Sequence, residues 1–105
     1  MNRPRYYARD GSLLLGGTLE WARLLEDESV RRVAFTKLPS GAVVSTVWLG
    51  LDHNFGAGPP LIFETMVFGL PDGEEPQERY STETEALAGH KAMCAKYESP
   101  LRGGA

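Results

Sequence analysis

The most regular hydrophobic pattern lies in the middle of the chain. Residues 42–50 are rich in β-branched side chains, and residues 61–68 are apolar at most positions, as expected of strands that are buried on at least one face. A third strand-like segment, residues 32–37, precedes the turn Pro39-Ser40-Gly41, and residues 78–81 are a candidate for a further short strand. The pattern predicts a small antiparallel sheet with main strands at about residues 32–37, 42–50 and 61–68.

The C-terminal third of the chain has helical periodicity. Thr82 and Glu85 match a capping box, in which the side chain of each residue bonds the backbone N–H of the other. The side chains that then recur at helical spacing are Ala86, Leu87, His90, Met93, Cys94 and Tyr97. This stripe predicts a helix at about residues 83–97 with one face directed at the sheet.

A shorter apolar stripe lies nearer the N-terminus. It predicts a helix at about residues 19–26, with Thr18 as the N-cap residue and residues 27–29 as its end. Before it, Asp10-Gly11 between two short apolar runs predicts a hairpin turn. The fold class is therefore α+β: the C-terminal helix packs on one face of the antiparallel sheet, and the short N-terminal helix covers an edge or a second patch.

The size and composition of the chain fit one compact domain. Its 105 residues are 42% hydrophobic and 24% charged, which argues against disorder. We expect a single domain over residues 1–98 and a flexible tail over residues 99–105. The single cysteine, Cys94, excludes an internal disulfide and a multi-thiolate zinc site. The sequence has neither an apolar run of the roughly 18 residues that span a membrane nor an apolar secretory signal, so we expect a cytoplasmic protein without a membrane partner.

Charge is distributed in three blocks along the chain. The net charge is +2 over residues 1–37, −7 over residues 38–90 and +2 over residues 91–105, which gives −3 overall. The basic residues form no continuous stripe, and the acidic middle would repel phosphate, so we do not expect a nucleic-acid partner. An acidic middle suits a basic protein partner, or it simply favours solubility.

Glu64 and His90 are the two candidates for acid–base chemistry. Glu64 alternates with large apolar side chains on one face of its strand, so a buried carboxylate there needs a partner. The alternative is a partly exposed face on which Glu64 pairs with an arginine. His90 lies on the apolar helical stripe, which directs it at the strands, where Glu64, Tyr80 or Ser45 would bond it. The alternative for His90 is a structural histidine that fixes the register of the helix.

A polar cluster follows the second strand. Asp52, His53 and Asn54 open a loop, and side chains at strand ends commonly build sites because the sheet holds them in place. A metal site of two histidines and one carboxylate would require His53, His90 and Glu64 to converge, which nothing in their spacing demands. We therefore assign no metal and no cofactor. The alternative for Asp52 and Asn54 is that they make turn hydrogen bonds.

Several stretches of the sequence carry a resemblance to known proteins. They are VSTVWLGLDHNF at residues 44–55, GPPLIFETMVF at residues 58–68, and RYST, EA and GH at residues 79–82, 85–86 and 89–90. Over about residues 30–95 the chain resembles a group of short uncharacterised proteins of tailed bacteriophages and prophages. The resemblance implies a bacterial cytoplasm during infection as the setting. Small phage proteins of this kind often bind a host or defence component, but the resemblance implies no activity, ligand or fold.

These observations lead to one functional hypothesis and two alternatives. The hypothesis is a phage-encoded accessory binding protein that acts on a host or defence component, either a protein or a small nucleotide signal. A homodimer through a sheet edge is also allowed. The first alternative, an enzyme, is less favoured: a small hydrolase or lyase that uses Glu64 and His90, with or without a metal. The second is a virion or assembly component. The expected binding surface consists of Asp52, His53, Asn54, Glu64, Arg79, Tyr80 and His90.

Overall fold

The computed structural model describes residues 5–54 and 56–98. Within these residues the elements follow in the order α1 Gly17–Glu26, α2 Glu28–Arg31, β1 Arg32–Lys37, β2 Val43–Trp48, β3 Phe63–Phe68, β4 Gln77–Tyr80 and α3 Glu83–Tyr97. The expected α+β fold is confirmed, with a small antiparallel sheet, a C-terminal helix and a short N-terminal helix. The predicted flexible tail, residues 99–105, lies outside the described residues.

The sheet is an antiparallel meander in which consecutive strands are neighbours. The strand order is β1-β2-β3-β4, so β1 and β4 form the two edges. Thr46 in β2 lies opposite Ala34 in β1 and Thr65 in β3, which places these residues in one row across the sheet. The predicted short strand at residues 78–81 corresponds to β4, which begins one residue earlier.

Strands β2 and β3 are shorter than the segments predicted at residues 42–50 and 61–68. The backbone N–H of Leu49 still donates to the carbonyl oxygen of Ile62 at 2.7 Å, so pairing continues just beyond the strands. Gly50 then adopts φ +76°, in the left-handed region that favours glycine, and its N–H shares the Ile62 carbonyl oxygen with Leu49, at 3.3 Å, so the regular ladder is interrupted there. This glycine therefore ends the regular part of the strand, and a further bond follows where the N–H of His53 donates to the carbonyl oxygen of Leu61 at 2.9 Å.

Helix α3 matches the predicted helix. The Thr82 hydroxyl accepts the backbone N–H of Glu85 at 3.1 Å, and the Glu85 carboxylate accepts the N–H of Thr82 at 3.2 Å, so the capping box is complete. Leu87 lies at the margin of the predicted stripe and is exposed. The helix residues that the sheet buries are Ala86, His90 and Met93.

The start of α1 differs from the prediction. The helix begins at Gly17, so Thr18 lies inside it and is not the N-cap residue. The Thr18 hydroxyl donates instead to the Tyr6 hydroxyl at 3.1 Å. The N–H of Gly16, the N-cap residue, donates to the Glu20 carboxylate at 2.9 Å. A glutamate in the first turn thus accepts the backbone N–H of the N-cap residue, as the glutamate of a capping box does.

The end of α1 at Glu26 matches the prediction, and residues 27–29 also begin a second helix that the sequence did not predict. The N–H of Asp27 donates to the carbonyl oxygen of Leu24 at 3.1 Å, which closes α1. The Asp27 carboxylate then accepts the N–H of Ser29 at 3.0 Å and caps α2. Aspartate is favoured as the N-cap of α2 because its short side chain reaches the backbone two residues ahead, whereas the bond that closes α1 uses only the backbone of Asp27.

The N-terminal segment forms the predicted hairpin and packs against the sheet. Tyr7 bridges Leu13 across the Asp10-Gly11 turn, and the indole N–H of Trp48 donates to the carbonyl oxygen of Tyr7 at 2.9 Å. Two hydrogen bonds, of 3.0 and 2.6 Å, join the Arg9 guanidinium to the Glu83 carboxylate at the start of α3. The hairpin is therefore fastened to both the sheet and the terminal helix.

Candidate functional site

The two faces of the sheet have different surroundings. Helix α3 packs across one face, which we call the helix face, and the other we call the open face. Because side chains alternate along a strand, every second residue of β2 and β3 is buried under α3. The residues buried on the helix face are Val44, Thr46, Trp48, Phe63, Thr65 and Val67. The strand residues between them point to the open face, and none of those is buried.

His90 lies on the helix face within a chain of hydroxyl groups. Its Nδ1 is 2.7 Å from Oγ1 of Thr46, which lies 2.5 Å from Oγ1 of Thr65. Its Nε2 is 2.9 Å from Oγ1 of Thr36 in β1. Hydroxyl groups both donate and accept, so either neutral tautomer of the imidazole satisfies these contacts. His90 therefore joins α3 to two neighbouring strands.

The surroundings of His90 favour its neutral form. Burial lowers the pKa of His90, because the imidazolium would lose hydration that the surrounding core does not replace. Both ring nitrogens contact threonine hydroxyls, so neither is oriented by a carboxylate in the way that a catalytic base commonly is. These contacts fit the structural interpretation of His90.

Glu64 lies on the opposite face of the sheet from His90. Its carboxylate accepts Nε–H of Arg79, its direct cross-strand neighbour, at 2.9 Å. Thr65, the next residue along β3, belongs to the hydroxyl chain of His90. Since successive side chains point to opposite faces, the sheet separates the carboxylate from the imidazole. The expected Glu64–His90 acid–base pair is therefore wrong, and the arginine partner left open by the sequence is the one found.

The polar residues after β2 bond their own loop. The Asp52 carboxylate accepts the N–H groups of Asn54 at 2.7 Å and Leu61 at 2.9 Å, so it ties the two ends of the loop together. The Asn54 side chain bonds further backbone groups within the loop. Nδ1 of His53 lies 2.8 Å from the carbonyl oxygen of Leu51, to which it donates. These hydrogen bonds match the turn interpretation of Asp52 and Asn54.

Tyr80 lies on the helix face, near the other edge of the sheet. Its ring packs against α3 at Gly89, where a Cβ atom would overlap the phenol. Burial raises the pKa of Tyr80, because the phenolate would be poorly hydrated there. A groove of about 400 Å³ runs between β4 and α3 beside this ring.

The structure therefore divides the expected binding surface among three places. Asp52, His53 and Asn54 lie in the loop after β2, Glu64 and Arg79 on the open face, and Tyr80 and His90 on the helix face. Over residues 5–54 and 56–98, no three histidine, cysteine, aspartate or glutamate side chains are grouped so that they would hold a metal ion.

The open face, which α3 does not cover, is largely apolar, and at one end its Val47 adjoins α1 and α2. Phe35 is 49% exposed and Phe68 is 38% exposed, while other apolar side chains between them are half-buried. An antiparallel sheet with one solvated face commonly alternates apolar with polar residues, and exposed apolar patches mark contact surfaces. The apolar residues of the open face are Phe35, Val43, Val47, Met66 and Phe68.

A second feature is the groove between β1 and α3, which we call the edge groove. It has a volume of about 760 Å³. Its apolar residues come from both elements, and the accessible side of the Thr36–His90 hydrogen bond lies within it. The edge groove is lined by Ala34, Thr36, Leu87, His90, Lys91 and Cys94, among others.

Sequence reasoning missed the residues that surround His90. Thr36, Thr46 and Thr65 bond it directly or in series, whereas Ser45, one of its predicted partners, points to the open face. A signal was present in the alternation, because Thr46 shares its side of the strand with Trp48. A polar residue on the most apolar side of a strand requires a buried partner, and His90 on the apolar helical stripe meets that requirement.

The chain matches none of the protein-family models, curated proteins or solved structures with which it was compared. In the part of the chain that the structure describes, no helix is both long and apolar enough to cross a membrane.

Proposed function

We propose that this chain is a binding module that docks another protein on the open face of its sheet. The observation that carries the proposal is the exposure of Phe35 and Phe68 on a face to which α3 contributes no cover. Burying such side chains against a partner is worth roughly 25 cal/mol for each Å² of apolar surface removed from water. Following the resemblance to phage and prophage proteins, the partner would be a host or defence protein in the infected bacterial cytoplasm.

The shape of the open face favours a protein over a small nucleotide signal. Small ligands are held in concave pockets that bury most of their surface, whereas a sheet face presents a broad surface. Strands spaced about 4.8 Å apart, of which three are about 20 Å long and β4 is about 14 Å long, give a face of about 350 Å². That area is typical of a functional patch on a small protein, but a stable interface buries about 800 Å² on each partner. The partner must therefore also contact a surface that adjoins the open face.

The geometry also favours binding over acid–base catalysis. Glu64 and His90, the residues on which a hydrolase or lyase would depend, lie on opposite faces of the sheet and have other partners. The Glu64–Arg79 pair stands beside the apolar residues of the open face, where it supplies polar contacts at the margin of an interface.

The proposal is tested by comparing two matched variants with the wild-type chain. Phe68→Asp places a charge in the open face, and Leu15→Asp places the same charge on a side chain that is 89% exposed outside the sheet. Each tagged chain is used to capture proteins from lysates of phage-infected bacteria, and circular dichroism shows whether each variant is folded. We expect the wild type and Leu15→Asp to retain the same protein and Phe68→Asp to lose it.

Other outcomes of this experiment would overturn the proposal. Equal retention by all three folded chains would mean that the open face is not the docking surface. If the chain instead copurifies with intact phage particles and captures nothing from the cytoplasm, it is a virion or assembly component.

A further inference from the structure

The outer edge of β1 presents backbone groups that pair with no other strand of the described chain. The N–H of Leu38 donates to the carbonyl oxygen of Ala42 at 2.8 Å, which fixes the hydrogen-bonding phase of the β1–β2 pair. Since every second residue of a strand bonds the same neighbour, Thr36 and Ala34 also bond β2, whereas Phe35 and Lys37 do not. By this phase, the N–H and C=O groups of Phe35 and Lys37 point outward, away from the sheet.

The edge groove lies directly beside these outward-pointing groups. Ala34 and Thr36 of β1 line it on one side, and Leu87 and Cys94 of α3 line it on the other. A strand added to β1 would point every second side chain into this groove. Its other side chains would extend the open face, beginning next to Phe35. The edge of β1 is thus the adjoining surface that a partner on the open face requires.

The charges around the edge indicate which residues such a strand would carry. Lys37 lies at one end of β1 on the open-face side, whereas Lys91 and Glu98, of opposite charge, both line the edge groove on the helix side. Arg32, at the other end of β1, is paired with Glu28 at 2.8 Å and stacks on Phe35. Acidic side chains on the open-face side of the added strand would therefore meet Lys37, with apolar side chains in the groove.

Self-association through the same edge is disfavoured by charge. Only outward-facing residues can lie opposite each other across two such edges, so the antiparallel register that aligns Lys37 with Lys37 sets like charges directly opposite, and the register that aligns Lys37 with Phe35 leaves the two lysines diagonal neighbours on one face. Like charges directly opposite each other destabilise a strand pair, and lysine on an edge strand commonly serves to prevent such pairing. The edge homodimer allowed by the sequence is therefore the less favoured occupant.

We propose that β1 takes up an extended acidic segment of a partner protein as a fifth strand. The segment alternates apolar residues, which enter the edge groove, with acidic residues, which face Lys37 on the open-face side. This inference rests on the proposed function, since it names the part of the partner that continues the contact beyond the open face. Main-chain hydrogen bonds supply affinity and the alternating side chains supply selectivity.

The inference is tested with short synthetic peptides rather than with the unidentified partner. One capped peptide alternates valine with aspartate, a second alternates valine with lysine, and a third has the acidic composition interrupted by proline. Binding to the full chain is measured by titration, and amide hydrogen exchange is followed by NMR. We expect only the first peptide to bind, and we expect it to protect the amides of Phe35 and Lys37, while those of Ala34 and Thr36 are protected with or without peptide.

Two substitutions at one position separate charge from backbone. Lys37→Thr removes the charge and keeps the outward N–H, whereas Lys37→Pro also removes that N–H without breaking a bond to β2. We expect Lys37→Thr to weaken binding of the acidic peptide several-fold and Lys37→Pro to weaken it by about a further tenfold, as the loss of a hydrogen bond implies. Gln77→Pro, at the outward-facing position of the opposite edge, serves as the control and should bind as the wild type does.

The possible results distinguish this inference from the proposed function. Equal binding by Lys37→Thr and Lys37→Pro, or a peptide that leaves the Phe35 and Lys37 amides unprotected, would overturn the fifth-strand mode. The wild-type exchange data decide the matter even if Lys37→Pro fails to fold. Concentration-dependent dimerisation that Lys37→Pro abolishes would identify a second copy as the occupant instead. Loss of partner capture in Phe68→Asp alongside a failed peptide titration would leave the open face as the docking surface and remove only the edge.

Discussion

The Thr46 hydroxyl lies 2.7 Å from Nδ1 of His90, and this contact joins α3 to the centre of the sheet. Thr46 also lies 2.5 Å from the Thr65 hydroxyl, so one oxygen atom links the helix to two strands. Both threonines are fully buried, and in the described part of the chain no buried side-chain nitrogen or oxygen lacks a hydrogen-bond partner. The polar chain is therefore an ordered part of the core, and it fixes where α3 lies on the sheet.

Removing the Thr46 hydroxyl should destabilise the fold through its two partners. Thr46→Val keeps the shape of the side chain but leaves Nδ1 of His90 and the hydroxyl of Thr65 without this contact. We expect a loss of about 1–3 kcal/mol in the free energy of unfolding, measured by urea denaturation. Thr46→Ser retains the hydroxyl, and it should cost less than Thr46→Val if the hydrogen bonds, rather than the γ-methyl group, are what matters.

The stability of the protein should fall as the pH decreases below about 6.5, the usual pKa of a histidine in an unfolded chain. Burial lowers the pKa of His90 in the folded state, so between the two values the unfolded chain binds more protons than the folded one. The contribution of neutral His90 is thus complete above the unfolded pKa and is lost as the pH falls towards the folded one. Unfolding free energies measured across this range should show the slope, and His90→Asn should reduce it.

Asp10 and Asp27 also make stability depend on pH, but in a more acidic range, so they do not affect the slope assigned to His90. Hydrogen bonds from Ser12 to Asp10 and from Ser29 to Asp27 lower the pKa of each carboxyl group. Their stabilisation is present above the ordinary aspartate pKa of about 3.9 and is lost only as the pH falls below it. A slope near pH 6 that is identical in His90→Asn and the wild type would show that another group causes it.

Gly50 should tolerate no larger residue. Its φ of +76° is unfavourable for alanine, and a Cβ atom there would lie 2.6 Å from ring atoms of both Trp21 and Trp48. We expect Gly50→Ala to cost about 3 kcal/mol in unfolding free energy, from backbone strain together with displaced indole rings. Gly73 provides the matched control, since it has φ +79° and no atom within 4 Å of the added Cβ. Gly73→Ala should cost about 1 kcal/mol, and an equal cost at both positions would contradict the packing argument.

The Glu64–Arg79 pair should contribute little to stability. The carboxylate side chain is 13% exposed and the guanidinium side chain 34% exposed, so both ions lose hydration, and this cost offsets most of their attraction. We expect a coupling energy of about 1 kcal/mol or less from a double-mutant cycle of Glu64→Gln and Arg79→Gln. A coupling of several kcal/mol would instead assign the pair a structural role as large as that of the buried threonines.

The local elements were predictable because each depends on residues close together in the chain. The capping box of Thr82 and Glu85 and the alternation of β2 are signals within a few residues, and both are found where expected. The failure at Thr18 and the unpredicted helix α2 after Asp27 are also local, because threonine and aspartate each suit several positions around a helix end. What failed at longer range was the pairing of Glu64 with His90.

The chain's own order of residues decided which segments become strands and helices and which side chains share one side of each segment. It did not decide which side of the sheet α3 covers, because β2 has β-branched or aromatic residues on both sides, with Val44 and Trp48 on one and Val43 and Val47 on the other. Packing made that choice by bringing Thr36, Thr46 and His90 together from distant parts of the chain. The same choice left Phe35 and Phe68 exposed, because a two-residue repeat specifies two faces but not which of them receives the helix.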